Sequence, residues 1–252
     1  MRRGVVLVLA VTLAATPAMA HIAPSVDDNN RYVKLTPAAD RVRISYTVLF
    51  GEVPGAQSRK TIDANHDGTI SDDEASAFGT KIAGEVAPAL ELTVDGKVQP
   101  IAWATVAVGM GSADTAAGTF SVDLVAWGCL PFARGKHRIV LRDRFRIPRP
   151  GETEVKVEDS PGVILHHARV GTFNDPTHDY RFAGPGGPLA DDGLDVEFTA
   201  GDKTVLTADG TCAASAPSKR PPVRMIITLA AGIGFVLAVI AVVLKRRRRR
   251  RA

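Results

Sequence analysis

Apolar and polar residues alternate along several stretches in the middle of the chain. The clearest stretch runs from Val42 to Phe50, where every second residue is apolar, and similar alternation occurs at 119–127 and 139–147. A period of two predicts strands that bury one face. Shorter strands, separated by proline and glycine turns, are predicted at 154–158, 163–170, 180–182 and 194–198.

The dipeptide Asp95-Gly96 is typical of a two-residue type I′ hairpin turn, and it predicts strands at 90–94 and 97–103. Many short strands with frequent turns indicate a mainly β fold. We expect a β-sandwich, with an immunoglobulin-like topology as one specific form of it.

Two segments follow a helical pattern instead. Residues 72–86 carry apolar side chains at three- and four-residue steps, which places them on one face of a helix. These side chains are Ala75, Phe78, Ile82 and Val86. Pro54 suits the first turn of a helix, so 54–62 is predicted as a shorter helix. We therefore expect a helix-loop-helix insertion at 54–86 within the β domain.

Both ends of the chain carry targeting signals. Residues 1–20 combine a basic start, a short apolar run and the sequence Ala18-Met19-Ala20, which together predict a signal peptide. Residues 225–244 contain no charge and no proline. At about 1.5 Å per residue, a helix of that length crosses a hydrocarbon core of about 30 Å. We expect a single-pass anchor at 225–244 and an exported domain at 21–209, in the periplasm or outside the cell.

The segments beside the predicted span fit this topology. Residues 210–224 are rich in Ala, Ser and Pro and lack periodicity, which predicts a flexible stalk. Residues 245–252 hold one lysine and six arginines, a block of cations that stays in the cytoplasm. As an alternative, the span and its arginine block resemble the C-terminal sorting tags of some bacterial surface proteins, which implies cleavage of the span.

The formal net charge of +4 changes sign once the chain is divided by compartment. The signal peptide holds two of the 31 basic residues and the tail holds seven, while all 27 acidic residues lie between them. The exported part therefore carries 22 basic residues and a net charge of about −5. We expect no nucleic-acid partner. The basic tail favours anionic lipid headgroups, so the membrane is the expected partner, beside a protein partner of unknown identity.

The chain has two cysteines, Cys129 and Cys212, and both are exported under this topology. An oxidising compartment permits a disulfide between them. Two free thiols, or pairing with another molecule, are the alternatives that the sequence leaves open.

One stretch carries a metal-binding pattern, and it runs from Asp63 to Glu74. It has Asp63, Asn65 and Asp67 at its first, third and fifth positions, Gly68 at the sixth and Glu74 at the twelfth. Calcium prefers six to eight oxygen ligands, and side chains that alternate along a loop turn their oxygens toward one point. Gly68 permits the sharp turn that such a loop needs. Position by position, this stretch resembles the loop of the EF-hand family.

The resemblance implies one calcium ion and a set of six ligand residues: Asp63, Asn65, Asp67, Thr69, Ser71 and Glu74. Thr69 would contribute its backbone carbonyl, Ser71 would bind directly or through water, and Glu74 would contribute both carboxylate oxygens. The number of ligands favours calcium over magnesium. The sequence has no second loop of this kind, so we expect the weak binding of extracellular modules, with a Kd of about 10⁻⁴–10⁻³ M.

A capped turn without metal is the alternative for this stretch, because Ser71 and Glu74 also form a capping box. That alternative does not explain the spacing of Asp63, Asn65, Asp67 and Gly68.

A transition-metal site is a second functional hypothesis. His21 would be the first mature residue, where its amine and imidazole suit a metal, and His166, His167 and His178 are further donors. The sequence that begins HIAPSVDDNNRYVKL resembles exported N-terminal regions of nickel/cobalt transporter-like proteins, which implies handling of nickel, cobalt or copper. Without metal, His166 and His167 are expected on opposite sides of a strand.

A third hypothesis is a hydrolase with a structural calcium ion. Asp175, His178 and Asp179 lie in a turn-like segment and are its candidate acid/base groups. The sequence has no nucleophile elbow, no H-E-x-x-H motif and no paired zinc cysteines. We therefore expect a calcium-binding, membrane-anchored envelope protein with a structural, adhesive or interaction role, and no enzyme.

Overall fold

The computed structural model describes residues 27–131, 134–184 and 187–201, together with Cys212. It is 49% strand and 20% helix, arranged around two β-sheets. The prediction of a mainly β, sandwich-like fold is thereby confirmed.

Several predicted segments lie outside the described residues. They are the signal peptide (1–20), the membrane span (225–244), the basic tail (245–252) and, apart from Cys212, the stalk (210–224). Within the part of the chain that the structure describes, no helix is long and apolar enough to cross a membrane.

The first sheet has six strands. In spatial order they are β10 (Asp179–Ala183), β8 (Pro150–Val157), β1 (Asn29–Pro37), β2 (Arg41–Phe50), β6 (Phe120–Cys129) and β5 (Trp103–Gly109). Strands β1 and β8 are parallel, and the other neighbours are antiparallel.

The second sheet has five strands, all antiparallel to their neighbours. In spatial order they are β4 (Lys97–Gln99), β3 (Leu90–Val94), β7 (Gly135–Asp143), β11 (Leu194–Ala200) and β9 (Val163–Val170). The predicted hairpin turn joins β3 to β4, and Asp95 and Gly96 both have the positive φ angles, 48° and 78°, that a type I′ turn needs.

The core lies where the buried faces of the two sheets meet. Every second residue of β2 and β6 is buried, and these side chains form one apolar cluster with those of β3 and β7. A methyl group on Gly128 would lie 2.6 Å from Leu92 Cδ2 and 3.0 Å from Val42 Cγ1, so glycine permits this close approach. Burial of apolar area is the main stabilising contribution to such a core.

A buried ion pair joins the two sheets inside this core. Arg31 of β1 pairs through Nη1 with the carboxylate of Asp143, the last residue of β7, and donates through Nη2 to Phe145 O at 3.0 Å. The Tyr46 hydroxyl donates to the same carboxylate at 2.9 Å. Burial, followed by the Asp143 charge, raises the pKa of Tyr46, so its hydroxyl remains a donor. The Asp143 carboxylate thus accepts from both Arg31 and Tyr46 in the core, while the buried Nε of Arg31 has no hydrogen-bond partner.

Two helices form the predicted insertion directly after β2. They are α1 (Glu52–Ile62) and α2 (Asp72–Val86), and a single 3₁₀ turn at Ala87–Ala89 leads from α2 into β3. Helix α1 begins two residues before the predicted start, which places Pro54 in its first turn. A further short helix, α3 (Gly187–Asp191), precedes β11.

A disulfide joins Cys129 to Cys212, which settles the question that the sequence left open. Cys129 lies opposite Arg41 in the ladder between β6 and β2, whereas Phe50 lies opposite Phe120 at the other end of that ladder. A ten-residue strand is about 33 Å long. The disulfide and the helical insertion therefore lie at opposite ends of the sandwich.

Two strand predictions differ from the structure, and strand β1 and most of β5 were not predicted. The stretch 97–103 divides into β4 and β5, because Pro100 lacks the amide hydrogen that a continuous ladder requires. The stretch 139–147 ends as a strand at Asp143, whose carboxylate is engaged by Arg31 in the core. Strand β1 was not predicted, since Arg31 occupies an inward position where the alternation calls for an apolar residue.

We predict that Arg31→Met destabilises the protein strongly. Loss of one partner from a buried pair leaves the other charge without compensation, which costs about 3–5 kcal/mol. The control is Arg181→Met, which removes a half-exposed arginine 3.3 Å from Glu154 and costs about 0–1 kcal/mol. Urea unfolding of the two variants measures both costs, and equal losses would contradict a special role for the Arg31–Asp143 pair.

Candidate metal site

The predicted calcium loop connects α1 to α2 in the structure. Asp63 follows the last residue of α1 and its N–H still donates to Arg59 O at 3.0 Å, while Ser71 caps the start of α2. His66 and Gly68 have positive φ angles of 59° and 86°. No atom lies within 4 Å of the position that a Cβ would take at Gly68, so its backbone conformation alone favours glycine there.

The first half of the loop is ordered by its own side chains. Asp63 accepts hydrogen bonds from Gly68 N at 2.9 Å and from Asp67 N at 3.2 Å. Asn65 Oδ1 accepts from Asp67 N at 2.9 Å, and Asp67 Oδ1 accepts from Thr69 N at 2.8 Å. Each of the three predicted side-chain ligands therefore holds an oxygen toward the backbone that follows it, and the loop folds around these oxygens.

Glu74 closes the loop from its other end. Its Oε1 accepts from Ala64 N at 2.8 Å, and its Oε2 accepts from the N and Oγ of Ser71 at 2.9 and 2.8 Å. These hydrogen bonds, those from Ser71 first, lower the pKa of Glu74 to about 2. The carboxylate is therefore ionised at neutral pH and lies between the first and last residues of the loop. The capping box predicted for Ser71 and Glu74 is confirmed.

The six predicted ligand residues thus lie in one closed loop, although their charged groups do not converge as a metal cluster. Among the described residues, no three His, Cys, Asp or Glu side chains are placed to hold a metal ion. A loop of this type also draws on an amide oxygen, a hydroxyl and a backbone carbonyl, which Asn65, Ser71 and Thr69 offer. The Glu74 carboxylate is engaged by backbone N–H groups, and it would have to turn inward to bind a cation.

A second part of the chain lies against the loop. We call residues 110–119, which connect β5 to β6, the bracing segment. Ile70 N donates to Ala113 O at 2.7 Å, and Thr69 and Asp114 form an isolated β-bridge. Thr115 donates to Gly68 O through both its N and its Oγ1, each at 3.2 Å. No motif in the sequence identified this segment as a contact of the loop.

The bracing segment is held by Arg59, a buried residue of α1. Its guanidinium donates to five backbone carbonyls of the bracing segment. The guanidinium carbon lies 5.4 Å from the centre of the Phe120 ring. The acceptors are Gly118 O at 2.9 Å, Ser112 O at 2.7 Å, Asp114 O at 3.2 Å, Thr119 O at 3.2 Å and Met110 O. Burial lowers the pKa of Arg59, and the Asp114 charge opposes that shift.

Apolar packing fixes the loop and helices to the sandwich. Ile70 is buried in the main core and anchors the loop to the sandwich. Phe78 of α2 packs edge-on against Phe50 and Phe120, which stack on each other with ring centres 4.4 Å apart. Gly79 of α2 allows that helix to lie close on the β5 strand. The loop is therefore attached to a rigid support.

The histidines proposed for a transition metal lie in different surroundings. His166 Nε2 is 2.7 Å from Thr199 Oγ1, and His167 lies 3.7 Å from Asp195 and 3.9 Å from Glu197. Both contact side chains of β11, because a register shift beside Glu197 leaves His166 as an extra residue in β9. The expectation that the two point to opposite sides is not met at this bulge. His21 lies outside the described residues.

The residues proposed for hydrolysis form a turn at the surface. Asp175 Oδ1 accepts from Thr177 N at 2.7 Å and from Thr177 Oγ1 at 2.5 Å, and these bonds lower the pKa of Asp175. His178 N donates to Asp175 O at 3.0 Å. His178 also lines a surface cleft beside Lys156 and Glu158. These contacts describe a capped turn.

The chain was also compared with known proteins. No protein-family model matches it, and no characterised protein was found with a similar sequence. The proposed function therefore rests on the loop and its surroundings.

We predict that Ser71→Ala raises the pKa of Glu74 from about 2 toward its usual value, because the Oγ donor is lost. A carboxyl group with a lowered pKa contributes stability that is complete above about pH 4.5 and is lost as the pH falls toward 2. The variant should lose part of that contribution. A ¹³C NMR titration of the Glu74 carboxyl carbon measures the change.

Ser76→Ala is the matched control for this titration, since Ser76 lies on α2 without contributing its side chain to Glu74. It should leave the Glu74 midpoint unchanged. A Glu74 midpoint that is equally low in Ser71→Ala would show that the backbone N–H groups alone hold the carboxylate.

Proposed function

We propose that the Asp63–Glu74 loop binds one calcium ion in the manner of a single EF-hand. The observation that supports this most is the hydrogen-bond order of the loop, in which Asp63, Asn65 and Asp67 each accept from backbone N–H groups at positions 67–69. A capped turn needs only Ser71 and Glu74, and it gives no reason for this arrangement. The ligands are Asp63, Asn65, Asp67, Thr69, Ser71 and Glu74.

Calcium suits this loop better than a smaller or softer ion. The loop offers carboxylate, amide, hydroxyl and carbonyl oxygens, which are the donors that a hard cation prefers, and no sulfur or imidazole ligand is in the set. Magnesium requires six ligands in a nearly ideal octahedron, and it retains several waters. The bidentate Glu74 carboxylate raises the ligand number beyond what magnesium accepts.

The biological role that we propose is that of a membrane-tethered envelope protein. The expected span at 225–244 follows Cys212, which is joined to Cys129 at the end of the sandwich opposite the helical insertion. The calcium loop would then face away from the membrane, where calcium is plentiful and a Kd near 10⁻³ M is useful. A structural or adhesive role is the one that fits this placement.

Calcium should raise the unfolding midpoint of the full-length chain. An ion that binds only the folded state stabilises it by about 2.7 kcal/mol at 100 times its Kd. Glu74→Gln should lose most of this rise, because the bidentate carboxylate is removed while glutamine still serves in a capping box. Thermal unfolding in detergent, with calcium, magnesium or chelator, measures the shift.

Glu85→Gln is the control, since Glu85 lies on the same helix and pairs only with Lys81 among its described contacts. Calcium should raise the unfolding midpoint of this variant as much as that of the unsubstituted protein. Absence of any calcium response in the original chain, or an unchanged response in Glu74→Gln, would contradict the proposal.

A further inference from the structure

We propose that the bracing segment, held by Arg59, takes the place of a second EF-hand and sets the calcium affinity of the loop. The inference rests on the proposed calcium site. It assigns positioning roles to Arg59 and Thr115, which touch no ligand oxygen through their side chains. Hydrogen bonds to the backbone connect these two residues to two of the six ligands.

The bracing segment orients the peptide group between Thr69 and Ile70. A trans peptide is planar, so its N–H and C=O point in opposite directions. The N–H of this peptide donates to Ala113 O at 2.7 Å. The Thr69 carbonyl, which is the predicted backbone ligand, therefore points away from the bracing segment and toward the loop. Contact with Ala113 thus aims a ligand that has no side chain to position it.

The bracing segment also orients the peptide group between Gly68 and Thr69. Its carbonyl accepts two hydrogen bonds from Thr115, and its N–H donates to Asp67 Oδ1 at 2.8 Å on the other side. By the same planarity, fixing the carbonyl toward Thr115 fixes the N–H toward Asp67. The bracing segment therefore also holds the carboxylate at the fifth position of the loop.

The bracing segment is itself attached to helix α1. Arg59 binds five of its carbonyls from within α1, the helix that leads directly into Asp63. Gly55, one turn earlier, allows the segment to approach, because a methyl group there would lie 2.5 Å from Gly118 O. The entry helix and the bracing segment thus move as one unit, with the loop between them.

Calcium binding to a loop whose backbone is already ordered costs less than binding to a mobile loop. A solitary loop lacks the partner loop that would otherwise supply this order. The bridge between Thr69 and Asp114 supplies it here from an unrelated part of the chain. The affinity should accordingly depend on residues that never touch the ion.

The test measures the calcium Kd of the full-length chain by titration, beside Arg59→Lys and Thr115→Val. Lysine has three donors on one nitrogen and cannot reach five carbonyls, so Arg59→Lys should weaken binding about tenfold or more. Thr115→Val keeps the shape and removes one hydrogen bond, so about a threefold loss is expected. The Thr115→Val variant decides the matter if Arg59→Lys does not fold.

Thr80→Val is the control, because Thr80 donates only to Ser76 O within α2 and lies away from the bracing segment. It should bind calcium with the original Kd. Amide hydrogen exchange of Ile70 in the calcium-free protein separates positioning from general stability: it should accelerate in Thr115→Val while the unfolding midpoint stays unchanged.

The outcomes distinguish this inference from the proposed function. If the original chain binds calcium and both variants bind it equally well, the bracing role is overturned and the calcium site remains. If the original chain binds no calcium, the proposed function fails and this inference fails with it. Weaker binding in the two variants, with no change in Thr80→Val, is the expected result.

Discussion

The candidate site depends on one buried guanidinium. Arg59 brings a positive charge into the interior, and backbone carbonyls of the bracing segment satisfy it. An ion of this kind is costly to bury unless every donor has a partner, so the segment is held in one conformation. That conformation presents Ala113 and Thr115 to the loop, and the loop takes its shape partly from them. The chemistry of the loop is thus supported from outside its own twelve residues.

A second buried arginine organises the other half of the molecule by a different means. Arg31 pairs with the Asp143 carboxylate and ties the two sheets together, whereas Arg59 binds carbonyls and ties a loop to a helix. Both arginines are buried, although a charged side chain is rarely found in the interior unless it is paired. The disulfide joins Cys129 to Cys212 at the end of the sandwich that lies far from the loop. The disulfide and the candidate site therefore lie at opposite ends of the sandwich.

Local patterns in the sequence predicted much of this structure. The period of two marked most strands because each has one buried face, and the hairpin at Asp95-Gly96 and helix α2 followed from local rules. The loop from Asp63 to Glu74 was recognisable as a candidate because the ligands of a calcium loop must occur at fixed spacing within twelve residues. Features of this kind depend on residues that are close in the sequence, so they can be predicted without knowledge of the fold.

The remaining features depend on contacts between distant residues. Arg59 is an ordinary helix residue until the chain brings Met110 to Thr119 against it, and 51 to 60 positions separate these partners. Strand β1 was missed for the same reason, since the partner that makes Arg31 acceptable lies 112 residues away at Asp143. The pairing of Cys129 with Cys212 also depends on the path of the folded chain.

The most direct test of the account is ¹³C NMR of the full-length chain during a calcium titration. Calcium ligation perturbs the carboxyl carbons of Asp63, Asp67 and Glu74 and the backbone carbonyl carbon of Thr69. We expect all four to shift together with one Kd, in the range of about 10⁻⁴–10⁻³ M, while the Glu85 carboxyl stays in place. Resonances that remain unmoved at calcium concentrations well above that range would contradict the calcium site.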